Sequence, residues 1–268
     1  MNVSDLATRS NIDLYNSMNL KNYLDGAPHL KHRKLRDAYF NTSKKVLLDS
    51  NITVPTVLDL GAGEGTATYY YLSQGAKVVA VDISQNQLSV LKDRCAQYSD
   101  NLSIICEDIN DTVKRNDKFD IVIINSLLHH IPDFCKLLDE VSNMLNPGGQ
   151  IFTWQDPLRY DSLNRFTLLF SNFTYFAWRI RKGDVIQGIK RRLKRSRGIY
   201  SDDLYDNSEY HVVRNGVDQD SIVELFKAKG FEFTLIKYFS TQSGFWQYLG
   251  ELLHFKNTFG IIVKKVNK

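Results

Sequence analysis

The chain is poor in the features that mark secreted, membrane-spanning or metal-scaffolded proteins. It has three cysteines in 268 residues, Cys95, Cys106 and Cys135. None sits in a C-x-x-C pair, and no second cluster supplies ligands at zinc spacing. That excludes a disulfide framework and a zinc module, and leads us to expect reduced thiols, a cytoplasmic setting and no bound metal. The opening MNVSDLATRSNIDLY lacks the apolar stretch of a secretory signal, and no run approaches the ~20 apolar residues that span a bilayer. Internal repeats and low-complexity tracts are missing too. What is present is ordinary for a globular protein: 43% hydrophobic and 24% charged residues, in a length that suits one large α/β domain with an elaborated insert. The net charge of +4 by itself decides nothing about partners.

Residues 1–50 read as helical and polar, with Leu30, Leu35, Tyr39, Phe40, Leu47 and Leu48 as candidates for an apolar face. From Thr53 the texture changes. Short apolar runs at 56–60, 77–83, 102–109, 119–125 and 149–156 alternate with segments of helix length. Their near-continuous Val/Ile content suits strands buried on both faces, so the alternation predicts a parallel sheet with helices on either side. Asn146-Pro147-Gly148-Gly149 predicts a turn before the fifth strand. Residues 158–215 break this rhythm. A helix over 218–229 and strands over 231–239 and 259–265 follow.

The first strand runs straight into Gly61-Ala62-Gly63-Glu64-Gly65. Glycines at a strand's carboxyl end let backbone approach a ligand closely, because no Cβ stands in the way. The second strand ends in Asp82, whose carboxylate suits the two hydroxyls of a ribose. A dinucleotide fingerprint wants G-x-G-x-x-G, but here the third glycine comes one residue early and no basic residue lies in the loop. Asp59 and Glu64 flank it instead. Such acidic flanks suit a cationic, zwitterionic ligand better than a pyrophosphate.

VLDLGAGEG followed by VVAVDIS resembles the first two motifs of the class I S-adenosylmethionine-dependent methyltransferases. ICEDI is similar to the third, FDIVIINSLLHHIPD to the fourth and MLNPGGQIF to the entry into strand five. The likeness spans residues 56–156 and is greatest to the small-molecule branch that includes the ubiquinone-type enzymes. It implies a Rossmann-like, doubly wound, seven-stranded sheet, mostly parallel with an antiparallel last strand and a helical insert after strand five. It also implies S-adenosyl-L-methionine as cofactor. Carried onto this sequence, Asp59, Gly61, Gly63 and Gly65 belong to the methionine end and Asp82 to the ribose. Ile83 packs on the adenine, Asp108 accepts from the adenine amine with Ile109 beside it, and Asn125 lies near the sulfonium. On this reading residues 1–50 cover the cofactor site, 51–157 form the cofactor-binding core, 158–215 form a lid or acceptor-binding insert, and 216–268 complete the sheet.

Methyl transfer needs alignment and exclusion of water, and a hydroxyl acceptor also benefits from a base. His129 and His130 fall at the carboxyl end of strand four, the switch point of such a sheet. The motif favours His130 as the base, with His129 its alternative. His211, in Glu209-Tyr210-His211-Val212, is a third candidate where a lid would return to the sheet. Asp156, at the end of strand five, is a further candidate as base or metal ligand, but one carboxylate makes no metal site and none is expected.

The insert carries Phe166, Leu169, Phe170, Phe173, Ala177 and Ile180 at helical spacing, and we expect that face to pack over the pocket. Gly183-Asp184 predicts a break before a second helix bearing Ile186, Ile189 and Leu193. Nine Lys/Arg and one acid, Asp184, lie between Arg179 and Arg197. That gives the segment 9 − 1 = +8 and the rest of the chain −4. Besides a solvated lid face, this asymmetry is compatible with an anionic acceptor such as a nucleotide sugar or lipid-linked glycan, or with contact to anionic membrane through residues 166–197. Together with the tail at Thr241-Gln242-Ser243-Gly244 and Lys256-Asn257-Thr258-Phe259, the insert resembles methyltransferases encoded among bacterial polysaccharide genes. The leading expectation is therefore O-methylation of a small-molecule or glycan-type acceptor. Methylation of nucleic acid and a non-catalytic cofactor-binding role are the alternatives. Asn125-Ser126-Leu127-Leu128 lacks the Asn/Asp-Pro-Pro-aromatic pattern that stacks a flipped base, so nucleic acid is disfavoured.

Overall fold

The computed structural model describes residues 3–17, 27–183, 190, 193–199 and 204–266. In chain order the described elements are α1 (Val3–Ser17), α2 (Pro28–Lys31), α3 (Arg33–Ser50), β1 (Thr56–Leu60), α4 (Thr66–Ser73), β2 (Lys77–Asp82), α5 (Gln85–Arg94), β3 (Leu102–Cys106), α6 (Ile109–Thr112), β4 (Phe119–Asn125) and α7 (Phe134–Asn143). They continue with β5 (Leu145–Pro157), α8 (Arg165–Lys182), α9 (Leu204–Ser208), α10 (Tyr210–Arg214), α11 (Gln219–Ala228), β6 (Glu232–Tyr238), α12 (Gly244–Leu252) and β7 (Thr258–Lys264).

The seven strands form one sheet in the order β3-β2-β1-β4-β5-β7-β6. β1 to β5 pair in parallel, and β7 runs antiparallel to both of its neighbours. Period-two alternation sends successive residues of each strand to opposite faces. In β4, Val122 and Ile124 join the layer that holds Leu137, Leu138 and Val141 of α7 and Ile222 and Phe226 of α11. Ile121 and Ile123 join Tyr39 and Val46 of α3, Tyr71 and Leu72 of α4 and Leu88 and Leu91 of α5 on the other face. Burial on both faces is why these strands read as continuous apolar runs. The edge strands β3 and β6 are only partly covered.

Two local expectations need correcting. The buried stripe of α3 is Leu35, Tyr39, Ser43 and Val46, and Leu48 points to solvent. The Asn146–Gly149 turn does not precede the fifth strand but is absorbed into β5 as an irregularity, with Gly148 at φ +73°.

The insert leaves and rejoins the sheet at one place, where Leu158 bridges Val217. Gly216 makes that closure possible: its φ is +78°, and a Cβ there would lie 2.2 Å from the Leu158 carbonyl oxygen. Within the insert, α8 ends at Gly183, in the left-handed conformation. Its orientation reverses the amphipathic expectation. Thr167 and Thr174 are the buried positions, and Ser171 accepts from Asn257 Nδ2 at 3.1 Å, whereas Phe166, Leu169, Phe173 and Ile180 face outward. Phe170 of the apolar stripe turns in instead, against Phe239, Trp246 and Phe255. Ile186 and Ile189 of the expected second helix, with Arg191 and Arg192, lie outside the described residues; Leu193 is exposed.

Candidate active site

The chain winds outward from β1 through β2 to β3 and then returns to β4, so the carboxyl ends of β1 and β4 flank a natural crevice. A cleft opens there, with an empty volume of about 890 Å³, mouth included. That is within the range of small-molecule and cofactor pockets. Gly61, Gly63, Asp82, Ile83, Asp108, Ile109 and Asn125 line it, as does His130.

The glycine loop is shaped by its dihedrals. Gly61, Gly63 and Gly65 have φ of +71°, +52° and +84°, values costly for any residue with a Cβ. The Gly63 N–H donates to Asp82 Oδ2 at 2.8 Å and the Ser84 N–H to Oδ1 at 2.8 Å, so the carboxylate is pinned at the cleft wall. Burial nevertheless raises its pKa above the ordinary value, against those backbone donors. Asp108 Oδ1 accepts from Asn110, and Oδ2 accepts from Thr8 at 3.0 Å. Asn125 Nδ2 donates to Tyr39 at 2.6 Å, which fixes the amide and leaves its buried Oδ1 without a partner.

Two residues expected to touch a cofactor stand elsewhere. Asp59 is buried behind the loop and accepts from Thr68 Oγ1 at 2.6 Å; burial pushes its pKa up to about 7. Gly65 begins α4 and is required by packing, since a Cβ would lie 2.6 Å from Leu91 Cγ. Glu64 pairs with Arg94 rather than with the cleft. These residues build the loop and do not line it.

The three histidines separate clearly. His130 Nδ1 lies 2.5 Å from the Ser208 carbonyl oxygen, and Nε2 lies 2.9 Å from the Tyr15 hydroxyl. A carbonyl only accepts, so Nδ1 carries the proton and Nε2 presents a lone pair to the cleft, accepting from Tyr15. Burial, then the neighbouring His129 charge, hold its pKa well below the usual 6.5, so it is neutral at pH 7.

His129 does not reach the cleft. A bulge in β5, with Gln155 at φ +68°, turns Asp156 inward. Asp156 Oδ1 then accepts from the His129 N–H at 3.1 Å and from Nδ1 at 2.8 Å, while Glu209 Oε2 stands 3.7 Å from Nε2. Burial opposes the charge on His129, but the Asp156 hydrogen bond and the two carboxylate charges outweigh it and raise its pKa. His129 is thus a strut held between Asp156 and Glu209, outside the lining of the cleft, although the sequence reading keeps it as the alternative base. His211 is a strut as well: its Nε2 lies 2.8 Å from the Ile131 carbonyl oxygen, and its ring packs on Phe134.

His129, His130 and Glu209 also bring one potential metal-ligating atom each within 4.8 Å of one another, a cluster the sequence expectation of no metal did not foresee. Both nitrogens of each imidazole already have partners.

Tyr15 and Thr8 were missed in the sequence. With Ser4, Ala7 and Asn11 they form the face of α1 that closes the cleft. Their spacing is helical, but the face is mostly small and polar, so hydrophobic periodicity does not reveal it.

Residues 57–149 match the profile of a family described as a methyltransferase domain. A ubiquinone biosynthesis O-methyltransferase of Coxiella burnetii is 33% identical over 36% of this chain and 41% of its own length. The match therefore spans about two fifths of that relative. Among solved structures, magnesium protoporphyrin IX methyltransferase from Synechocystis PCC 6803, with bound S-adenosylhomocysteine, superposes with a TM-score of 0.57 at 12% identity, covering 97% of this chain and 99% of that one. The N-methyltransferase NodS from Bradyrhizobium japonicum WM9 gives 0.55 at 13%, covering 96% and 98%. At such identities the structures speak for the fold. Residues 57–149 are a methyltransferase domain, within a chain that has the fold of the class I S-adenosylmethionine-dependent methyltransferases.

Proposed function

We propose that the chain is an S-adenosylmethionine-dependent O-methyltransferase in which His130 deprotonates the acceptor. One observation carries the reading: the neutral, lone-pair-bearing Nε2 of His130 enters the same cleft that the glycine loop and Asp82 line. The cleft's chemistry fits the cofactor. Gly61 and Gly63 leave room for close approach, two carboxylates stand at its wall, and the partnerless Asn125 oxygen offers an acceptor to a cationic ligand. Gly61, Gly63 and Asn125 would hold the methionine end, Asp82 the ribose, and Ile83, Asp108 and Ile109 the adenine. When bound, S-adenosylmethionine supplies a methyl group activated by its sulfonium.

The protein's share of the work is alignment and proton transfer. Ser208 fixes the His130 tautomer, so no proton has to be relocated before Nε2 accepts one. The Tyr15 hydroxyl occupies the approach to Nε2 that an acceptor hydroxyl takes, so acceptor entry displaces it. α1 and the Leu127, Ile131 and Pro132 wall exclude water, which strengthens the polar contacts within. The similar Coxiella protein is named for O-methylation in ubiquinone biosynthesis. For this chain we favour an anionic, amphiphilic acceptor of glycan type, on the +8 charge of residues 179–197.

The test is formation of S-adenosylhomocysteine by purified protein offered nucleotide sugars and lipid-linked glycans. Turnover that depends on both acceptor and His130 supports the reading. Calorimetry showing no affinity for S-adenosylmethionine overturns it.

A further inference from the structure

α8 and α12 share an unusual arrangement: both turn polar side chains inward and apolar ones outward. On α8, Thr174 contacts Thr241 Oγ1 at 3.2 Å and Thr167 is buried, while Phe166 and Leu169 are 76% and 67% exposed. On α12, Gln247 is buried and bonds to Thr241 N and the Phe239 carbonyl, while Phe245 and Tyr248 are 66% and 61% exposed. Gly250 lets this helix sit flush on Phe239, where a Cβ would lie 2.2 Å from the ring. Trp246 joins the two outward faces, 5.1 Å from Phe173 and 4.8 Å from Phe245 between ring centroids. The result is one continuous apolar surface, extended by Phe176, Ile180 and Leu252. Contiguous exposed patches of this kind mark interaction sites.

We infer that the α8–α12 face docks on an anionic lipid bilayer, seating its aromatic side chains among the headgroups. The charge identifies the occupant. α8 carries no acid, and the acid of α12, Glu251, is paired with Lys34 at 3.1 Å. Arg165 and Arg181 on α8 and Lys190, Lys194 and Arg197 beyond it are exposed. An aromatic surface flanked by cations is complementary to an anionic interface. A second copy on this face would bring two such positive segments together, which opposes self-association. Among the described residues no helix is long and apolar enough to cross a membrane, so contact is peripheral.

Topology places this surface beside the cleft. α8 follows the carboxyl end of β5, and α12 joins the end of β6 to the start of β7, all at the sheet edge where the cleft opens. Docking would thus hold the acceptor side at the bilayer, which deepens the amphiphilic-acceptor reading and in that part rests on it. The docking itself does not depend on methyl transfer.

The experiment is flotation of the full chain with vesicles of phosphatidylcholine alone or mixed with phosphatidylglycerol, at low and high salt. We expect at least ~tenfold stronger partitioning to the anionic vesicles, weakened by salt. The triple variant Phe166→Ser, Leu169→Ser, Phe245→Ser should lose ~tenfold or more. The pair Arg181→Glu, Arg197→Glu should lose the preference for anionic lipid. All these side chains lie outside the cleft, so S-adenosylmethionine affinity by calorimetry should be unchanged and reports separately on the methyltransferase reading. No flotation of the wild-type chain, or equal flotation of the triple variant, overturns the inference. So does a wild-type dimer in sedimentation that the triple variant abolishes, which would make a second copy the occupant.

Discussion

The central sheet and the α8–α12 face follow opposite rules. In the sheet, apolar side chains point inward to both layers, and Asp82, Asn125 and the glycine loop stand where the strands end at the cleft. On α8 and α12, Thr167, Thr174 and Gln247 point inward, while Phe166, Phe173, Phe176 and Phe245 point outward. The first arrangement stabilises the fold. The second contributes little to folding from its outer face, so its side chains are available for an external partner. Substitutions can separate the two directly.

The largest effect should come from the sheet. Ile123→Ala removes a fully buried side chain from the layer beneath α3 and α4 and should cost about 2–5 kcal/mol in chemical denaturation. If Phe166→Ala costs as much, the contrast between the two regions is wrong.

Next is the cleft. His130→Ala should lower turnover ~100-fold, equivalent to ~2.7 kcal/mol, with cofactor affinity nearly intact. The base must be neutral, and burial depresses its pKa. Activity limited by His130 should therefore stay flat as pH falls through 6.5 and decline only below it. A turnover profile that drops with a midpoint at or above 6.5 would remove His130 from the role. The same depression has a stability consequence. The unfolded chain takes up a proton on this residue below about 6.5 while the folded one resists, so stability is lost as pH falls from there.

Asp82→Ala should weaken S-adenosylmethionine binding by ~1.5–3 kcal/mol in calorimetry, the range for a hydrogen bond to a charged group. Unchanged affinity would place the cofactor elsewhere. The smallest effect belongs to the outer face: Phe166→Ala should change stability by no more than ~0.5 kcal/mol in the same denaturation measurement.

Much of the sheet was legible in the residues. Buried parallel strands must be apolar on both faces, so the Val/Ile runs locate them, and a glycine loop at a strand end reads as a ligand approach. The cleft was legible where backbone sets the position, as at Gly61, Gly63 and Asp82. It was not where packing decides. Nothing in Asp59 says that its carboxylate turns to Thr68, and nothing in His129 says that a bulge in β5 will bring Asp156, which is 27 positions further along the chain, to it.

By itself, then, the sequence determined the alternation of strands and helices, the glycine loop and the carboxylates at the strand ends, because these depend on local periodicity and on backbone freedom. Tertiary structure alone decided which histidine turns a lone pair to the cleft, since Ser208 and Asp156 come from distant segments. It also decided which residues of the N-terminal segment, expected as a whole to cover the site, line the cleft: Thr8 and Tyr15 of α1 among them. And it decided that α8 turns its threonines inward: helical spacing shows that a face is apolar, but which face is buried depends on the neighbours it meets, here Thr241 and Asn257.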